Sequence, residues 1–219
     1  HYKNQIQVGE IQMYALIIGR AYPDKNTGMM GIFEFEQAAA LNKHGFKTVY
    51  AFCDNRSIKS LRKFNYMHFE KSGVPVYGYH LPIGGIPRKL FDKIKLKLNK
   101  NLIKKMIKDH GLPDIIHVHF PLINLNTELW HYLKELGKPI VVTEHWSKVQ
   151  LKDIEPYRLE LLKNIVEEAD SFNCVGENLK NSIIELTFTT NNIQVIPNMV
   201  SPIFKYSGNT RQQKNRFDF

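Results

Sequence analysis

Apolar residues along this chain fall into two kinds of run. One kind is short, nearly continuous in Ile11 to Gly19, Phe46 to Cys53, Ile115 to Val118 and Ile140 to Val142, and broken by polar residues in Asp170 to Gly176 and Asn192 to Ile196. The other repeats at helical spacing. Between Ile32 and His44, Phe33, Ala40 and Leu41 stand among Glu34, Glu36 and Gln37, and the run stops at His44-Gly45. Phe91, Ile94, Leu98, Leu102 and Met106 mark a second helix that ends at His110-Gly111. Leu159, Leu162, Ile165 and Val166 mark a third within Ile154 to Ala169, and Glu177 to Leu186 forms a fourth. Short Ile/Val runs are what strands covered on both faces look like. Their alternation with helices predicts an α/β fold, a Rossmann-like doubly wound, mostly parallel sheet with helices on both faces.

Between these elements the pattern is weaker. Asp54 to Asn65 reads as a helix or an irregular segment, Tyr66 to Leu81 as short strands around a turn at Ser72-Gly73, and Ile83 to Pro87 as a loop. The polar start, residues 1 to about 10, carries no structural weight. Residues 1–206 are expected to form one domain. The polar stretch 207–216 reads as a linker and 217–219 as the opening of a second domain.

Charge changes this picture in one place. Lys plus Arg outnumber Asp plus Glu 30 to 21, and between Pro87 and His110 there are nine basic residues against two Asp. The surplus is therefore a local patch on the second helix. A solvated face is one reading. Attraction to an anionic membrane surface through Arg88, Lys89, Lys93, Lys97, Lys100 and Lys104 is another. Nucleic acid is not an expected partner, because apart from Phe91 the segment lacks interleaved aromatics. No stretch approaches the ~20 apolar residues that cross a bilayer. Cys53 and Cys174 lie in apolar runs and read as buried, reduced thiols, which fits a cytoplasmic protein, peripheral at most on the inner face of the plasma membrane.

Candidate chemistry gathers at strand ends. In an open α/β sheet ligands bind at the carboxyl ends of the strands. Pro113-Asp-Ile-Ile-His-Val-His119 and Lys138-Pro-Ile-Val-Val-Thr-Glu-His-Trp-Ser147 both break from apolar to polar there. His117 and His119 alternate with Val118 and so share a strand face. A metal would need a third ligand, with His145 the one obvious candidate; a polar cleft fits the aromatic and proline neighbours better, and no metal is expected. His145, with Glu144, Trp146 and Ser147 beside it, is placed to donate to a sugar hydroxyl or a phosphate. The loop after the first strand carries Gly28 and Gly31 before a helix N-terminus, a setting that favours phosphate, although it is not a G-x-G-x-x-G fingerprint. Glu34 and Glu36, two residues apart, cannot pair on one helical face and read as solvated. No G-x-S-x-G elbow supports a hydrolase.

Ordered along the chain, several of these blocks resemble glycosyltransferase family 4. They are Tyr22-Pro23, Asn26, Gly28, Gly31-Ile32-Phe33, Gln37, Ala40-Leu41 and Gly45-Phe46, then Pro113 to His119, Pro139 to Ser147, Ala169-Asp170 with Val175, and Val195-Ile196-Pro197-Asn198. The resemblance runs from about Tyr14 to Phe204. It implies the N-terminal half of a GT-B fold, in an enzyme that moves a sugar from a nucleotide-sugar donor to a saccharide or lipid-linked acceptor. Retention at the anomeric carbon and no bound metal or other cofactor are implied too, as is polysaccharide or glycolipid assembly.

The same resemblance places Gly28 and Gly31 at the donor diphosphate, Gly31 foremost. It makes His145 the catalytic histidine, stabilising the transition state. His117, His119, Glu144, Trp146 and Ser147 then line the cleft or the acceptor site, with acceptor specificity in loops within Asp54 to Ile86. The family's donor-binding basic residues and its E-x7-E glutamates belong to a C-terminal domain, so these residues alone are expected to turn over little. Where many relatives have Pro-Asn-Gly-Val-Asp, Pro197-Asn-Met-Val-Ser201 stands here. The competing expectation is a non-catalytic Rossmann-like binding module whose basic helix docks on lipid or nucleic acid.

Overall fold

The computed structural model describes residues 12–25, 28–57 and 63–199. The central strand is β1, Tyr14–Gly19, every residue of which is buried. It pairs in parallel with β2, Lys47–Ser57, on one side and β5, Ile115–His119, on the other, so that Ile17 stands between Tyr50 and His117. Helix α1, Ile32–Lys43, joins β1 to β2. Beyond β2 lie β4, Val74–Gly84, and β3, Asn65–Lys71. Beyond β5 lie β6, Ile140–Glu144, then β7, Ser171–Cys174, and β8, Ile193–Val195. The full order is β3-β4-β2-β1-β5-β6-β7-β8, and only β3 runs antiparallel. The mostly parallel, Rossmann-like sheet expected from the alternation is therefore the fold.

Direction reverses beside β1. The chain first builds outward through β2, β4 and β3, then returns to place β5 on the opposite flank of β1. The carboxyl ends of β1 and β5 consequently part from each other, which opens a crevice at the switch point.

Two cores cover the sheet. The larger joins Leu16, Ile18, Val118, Ile116 and Val142 to residues of α2 (Arg88–His110), α4 (Thr127–Glu135), α6 (Pro156–Glu168) and α7 (Glu177–Thr187). The smaller packs Ala15, Ile17, Tyr50 and Phe52 against Phe35 and Ala38 of α1. On strands β5 to β7 the face toward the larger core is apolar as far as Glu144, while the alternate face places His117, His119, Thr143, Ser171 and Asn173 beside Ile115 and Val141.

The short strands around a turn at Ser72-Gly73 are β3 and β4, a β-hairpin. Four local expectations are corrected. Asp54 to Ser57 continue β2, so with the hairpin the stretch expected to hold acceptor loops is largely strand among its described residues. The loop expected at Ile83 begins only after Gly84. In α1 the buried side chains are Glu34, Phe35 and Ala38, while Phe33 is exposed. In α2 Leu102, Ile103 and Met106 are buried as the spacing predicts, but in the first half Lys95 and Asn99 take the inner positions from Phe91, Ile94 and Leu98. Lys95 donates to the carbonyl of Ile123 in the short helix α3, Pro121–Asn124. Helix-terminal carbonyls lack intrahelical donors, so an ammonium is useful at that buried point. Both cysteines are free and buried. The proposed linker and second-domain start, 207–219, lie outside the described residues.

Candidate active site

Three strand ends build the site. At the end of β1, the carbonyl of Ala21 accepts a hydrogen bond from the Tyr50 hydroxyl, 2.7 Å away. Gly31 passes beside the same carbonyl with φ of 89°, and a Cβ there would lie 1.8 Å from it. Only glycine fits, on conformation and on space. Gly31 also caps α1, whose first-turn N–H groups lack partners within the helix. Gly28, with φ of 62°, donates to Asp24 O and faces open space.

Arg20 leaves β1 at the same point. Its Nε donates to Glu34 Oε1 at 2.9 Å, and its guanidinium carbon sits 3.3 Å from the centre of the Phe120 ring. Glu34 is fully buried, which corrects the solvated reading. In the sequence Arg20 did not stand out, and Glu34 did so only as a surface acid. The available signal was position: a charge directly after the central strand, and an acid in the first turn of the following helix.

At the ends of β5 and β6 the histidines come together. His119 Nδ1 lies 2.9 Å from His145 Nε2, and the His117 and His119 rings are 4.2 Å apart. His117 Nε2 meets the Thr143 hydroxyl at 2.8 Å, which ties it back to β6. Phe120 stacks on His145, with ring centres 4.5 Å apart and planes 14° from parallel. To reach that position Phe120 adopts a left-handed backbone, φ 48°. His145 Nδ1 has no partner in hydrogen-bonding geometry, although the Asn198 amide lies close enough to favour the protonated ring.

Burial makes these rings neutral. It pulls His117 down to about 4, and pulls His145 to about 4 with help from the Arg20 charge. His119 falls well below its usual value, by burial first and then by its two histidine neighbours and Arg20. One hydrogen therefore serves the His119–His145 contact, leaving the partnerless Nε2 of His119 and Nδ1 of His145 to complete the set.

Glu144 is fully buried and shapes the turn. Its Oε1 accepts from the backbone N–H of His145 and of Trp146, each at 2.8 Å, while Oε2 has no hydrogen-bond partner. Burial raises its carboxyl to about 7 against the pull of those two bonds. Trp146 is half-buried, with the Arg158 guanidinium 4.9 Å from its ring, and Ser147 is exposed at the start of α5, Ser147–Gln150. Among the described residues no three His, Cys, Asp or Glu side chains are grouped so as to hold a metal ion.

Residues 35–203 match the sequence model of Glycosyltransferase Family 4. The chain belongs to that family. No curated protein matches the chain significantly. Among solved structures, "OtsA apo structure" is similar over 88% of this chain at 14% identity, with a TM-score of 0.52. The α,α-trehalose-phosphate synthases of Burkholderia vietnamiensis and Burkholderia multivorans are similar over 80% of the chain, at 14% and 15% identity and TM-scores of 0.49 and 0.47. The chain spans 42% to 50% of the lengths of these three proteins.

In this glycosyltransferase family member the basic residues expected on a membrane surface lie apart from the histidines, along α2. Lys89, Lys93, Lys97 and Lys104 are exposed. Lys100 rests 4.6 Å from the Tyr132 ring centre, and Arg88 stacks on Tyr157 while pairing with Asp92. Among the described residues no helix is long and apolar enough to cross a membrane.

Proposed function

We propose that the chain is the acceptor-side, N-terminal half of a glycosyltransferase that moves a sugar from a nucleotide-sugar to a saccharide or lipid-linked acceptor. Transfer proceeds with retention and without a resident metal, in polysaccharide or glycolipid assembly at the cytoplasmic face of a membrane. The observation that supports this most is the convergence of Arg20, His119 and His145 at the switch point of the sheet, within a family of sugar transferases.

The roles follow from the chemistry. The loop through Gly28 and Gly31 and the first turn of α1 offer backbone N–H groups and the helix dipole to the donor diphosphate. His145 is the catalytic residue, neutral at physiological pH. Held by Phe120 and His119, it meets charge developing at the reacting sugar with a fixed dipole, which needs no reorganisation during the reaction. Trp146 and Ser147 border the acceptor, His119 and His117 fix the ring behind His145, and Glu144 fixes the turn that carries it. The exposed lysines of α2 attract anionic lipid.

A second domain carrying the donor-binding basic residues and E-x7-E glutamates completes the enzyme. The 219-residue chain alone therefore binds donor weakly and turns over little. Nucleotide-sugar consumption by the chain, measured beside the complete enzyme, tests this: a rate far below that of the complete enzyme is expected, and equal rates would refute it.

A further inference from the structure

We infer that the cavity bounded by α2, α3 and α6 binds the anionic group of a negatively charged saccharide acceptor, a phosphate or a carboxylate, with Lys95 as its buried cation. This rests on the transferase reading and specifies its acceptor.

The cavity has a volume of about 300 Å³, the lower end of the roughly 300–1,000 Å³ of small-molecule sites. Its charged lining is Arg88, Asp92 and Lys95 of α2, Glu128 of α4 and Arg158 of α6, and its polar lining includes Asn55 near the end of β2. Asn55 and the segment after β5 place it on the same sheet edge as the histidines. Arg158 connects the two, because its guanidinium lies over the ring of Trp146, the residue after His145.

Most of these charges are already committed. Arg88 pairs with Asp92 at 3.2 Å. Arg158 is held by Glu155, by the Tyr157 hydroxyl and by the Leu122 carbonyl. Lys95 is less fully committed. It is 4% exposed, with the Phe91 ring centre 5.9 Å from its ammonium and the Asp92 carboxylate near enough to attract it, and of its three N–H groups one hydrogen bond is made, to Ile123 O. Burial lowers it to about 8, which still leaves it charged at neutral pH. Sinking a lysine costs far more than capping one carbonyl requires, since burial disfavours the charged form. Two unused donors on a buried cation in a cavity wall fit an oxyanion. Asn55 Oδ1, also buried, has no partner. It accepts a hydrogen bond, which a carboxylate or phosphate dianion does not supply and a sugar hydroxyl does. Together they describe a hydroxylated anion.

Calorimetric titration of the chain with glucose 6-phosphate, glucuronate and glucose, which differ only at carbon 6, tests the inference. At least one of the two anions is expected to bind about tenfold or more tighter than glucose, and to lose that advantage in Lys95→Met. Which anion wins identifies the group. Glu128→Gln, at an exposed position on the cavity rim, is expected to tighten anion binding by about two- to fivefold; it decides the matter where Lys95→Met does not fold. Anions that bind no better than glucose, or an affinity unchanged in folded Lys95→Met, overturn the inference. Anion binding at Lys95 together with no sugar transfer by the complete enzyme would uphold the pocket and refute the transferase reading. Transfer to neutral acceptors with no anion binding would do the reverse.

Discussion

His119 and His145, 26 residues apart, meet nitrogen to nitrogen at 2.9 Å across the ends of adjacent parallel strands. Because both rings are buried and sit beside Arg20, the contact is between neutral imidazoles. That places a rigid, uncharged hydrogen-bonding pair at the switch point of the sheet. The same burial makes the site a load on stability in acid.

The pH dependence has a definite sign. His117 and His145 titrate near 4 when folded and near 6.5 when unfolded, so the unfolded chain binds protons first as pH falls. Their contribution is intact above about pH 6.5 and is lost as pH drops through about 4. Glu144 works oppositely, since its folded value near 7 exceeds the ordinary 4.5 and its protonated form is stabilising at low pH. The histidines outnumber it, so thermal unfolding followed from pH 7.5 to 4.5 should show a falling midpoint. Glu144→Gln should steepen the fall between pH 6.5 and 4.5, and a flatter profile would contradict the assignment.

Gly31 and Gly28 should differ sharply. Alanine at Gly31 strikes the Ala21 carbonyl and is strained by φ of 89°, whereas at Gly28 it meets only the backbone penalty. Gly28→Ala should cost about 1–2 kcal/mol. Gly31→Ala should exceed it by at least about 2 kcal/mol in urea unfolding, as expected for overpacking against a fixed backbone atom.

Arg20 and Glu34 form a pair whose acid is fully buried. Arg20→Ala leaves a buried, uncompensated carboxylate and should cost about 3–5 kcal/mol. Arg20→Met with Glu34→Leu should recover most of that loss in the same unfolding measurement. Equal losses in the single and double variants would show that the pair is not what matters there.

Most strands and the helices α1, α2, α6 and α7 were legible in the sequence because they rest on local signals, apolar runs, spacing and terminating glycines, whereas the pairing of β5 with β6 is set by the fold. The His145 block was legible for the same reason, since polar groups at a strand end announce a site. Glu34 was misread because its partner, Arg20, lies fourteen residues earlier and reaches it only through the fold. Lys95 was hidden by its eight basic companions between Pro87 and His110. Its burial depends on a carbonyl in α3, which helical periodicity does not encode. The β3–β4 hairpin was read only as short strand runs because β3 is an exposed edge, and without a buried face its alternation carries little signal.

The exposed lysines of α2 are expected to bind lipid by charge alone. Co-sedimentation with phosphatidylserine-containing vesicles should be strong at low ionic strength and weaken as salt rises. Lys89→Glu, Lys93→Glu and Lys97→Glu combined should abolish it, while vesicles of neutral lipid should not bind. Salt-independent binding would point instead to an apolar contact.

Turnover of the complete enzyme with His145→Ala tests the central claim most directly. Removing a preorganised group at the reacting sugar should lower kcat by about 100-fold or more, with the variant folded and the Phe120 and His119 environment checked by its unfolding midpoint. A kcat within about twofold of the parent, by the same scale of effects, would contradict the account and take His145 out of the chemistry.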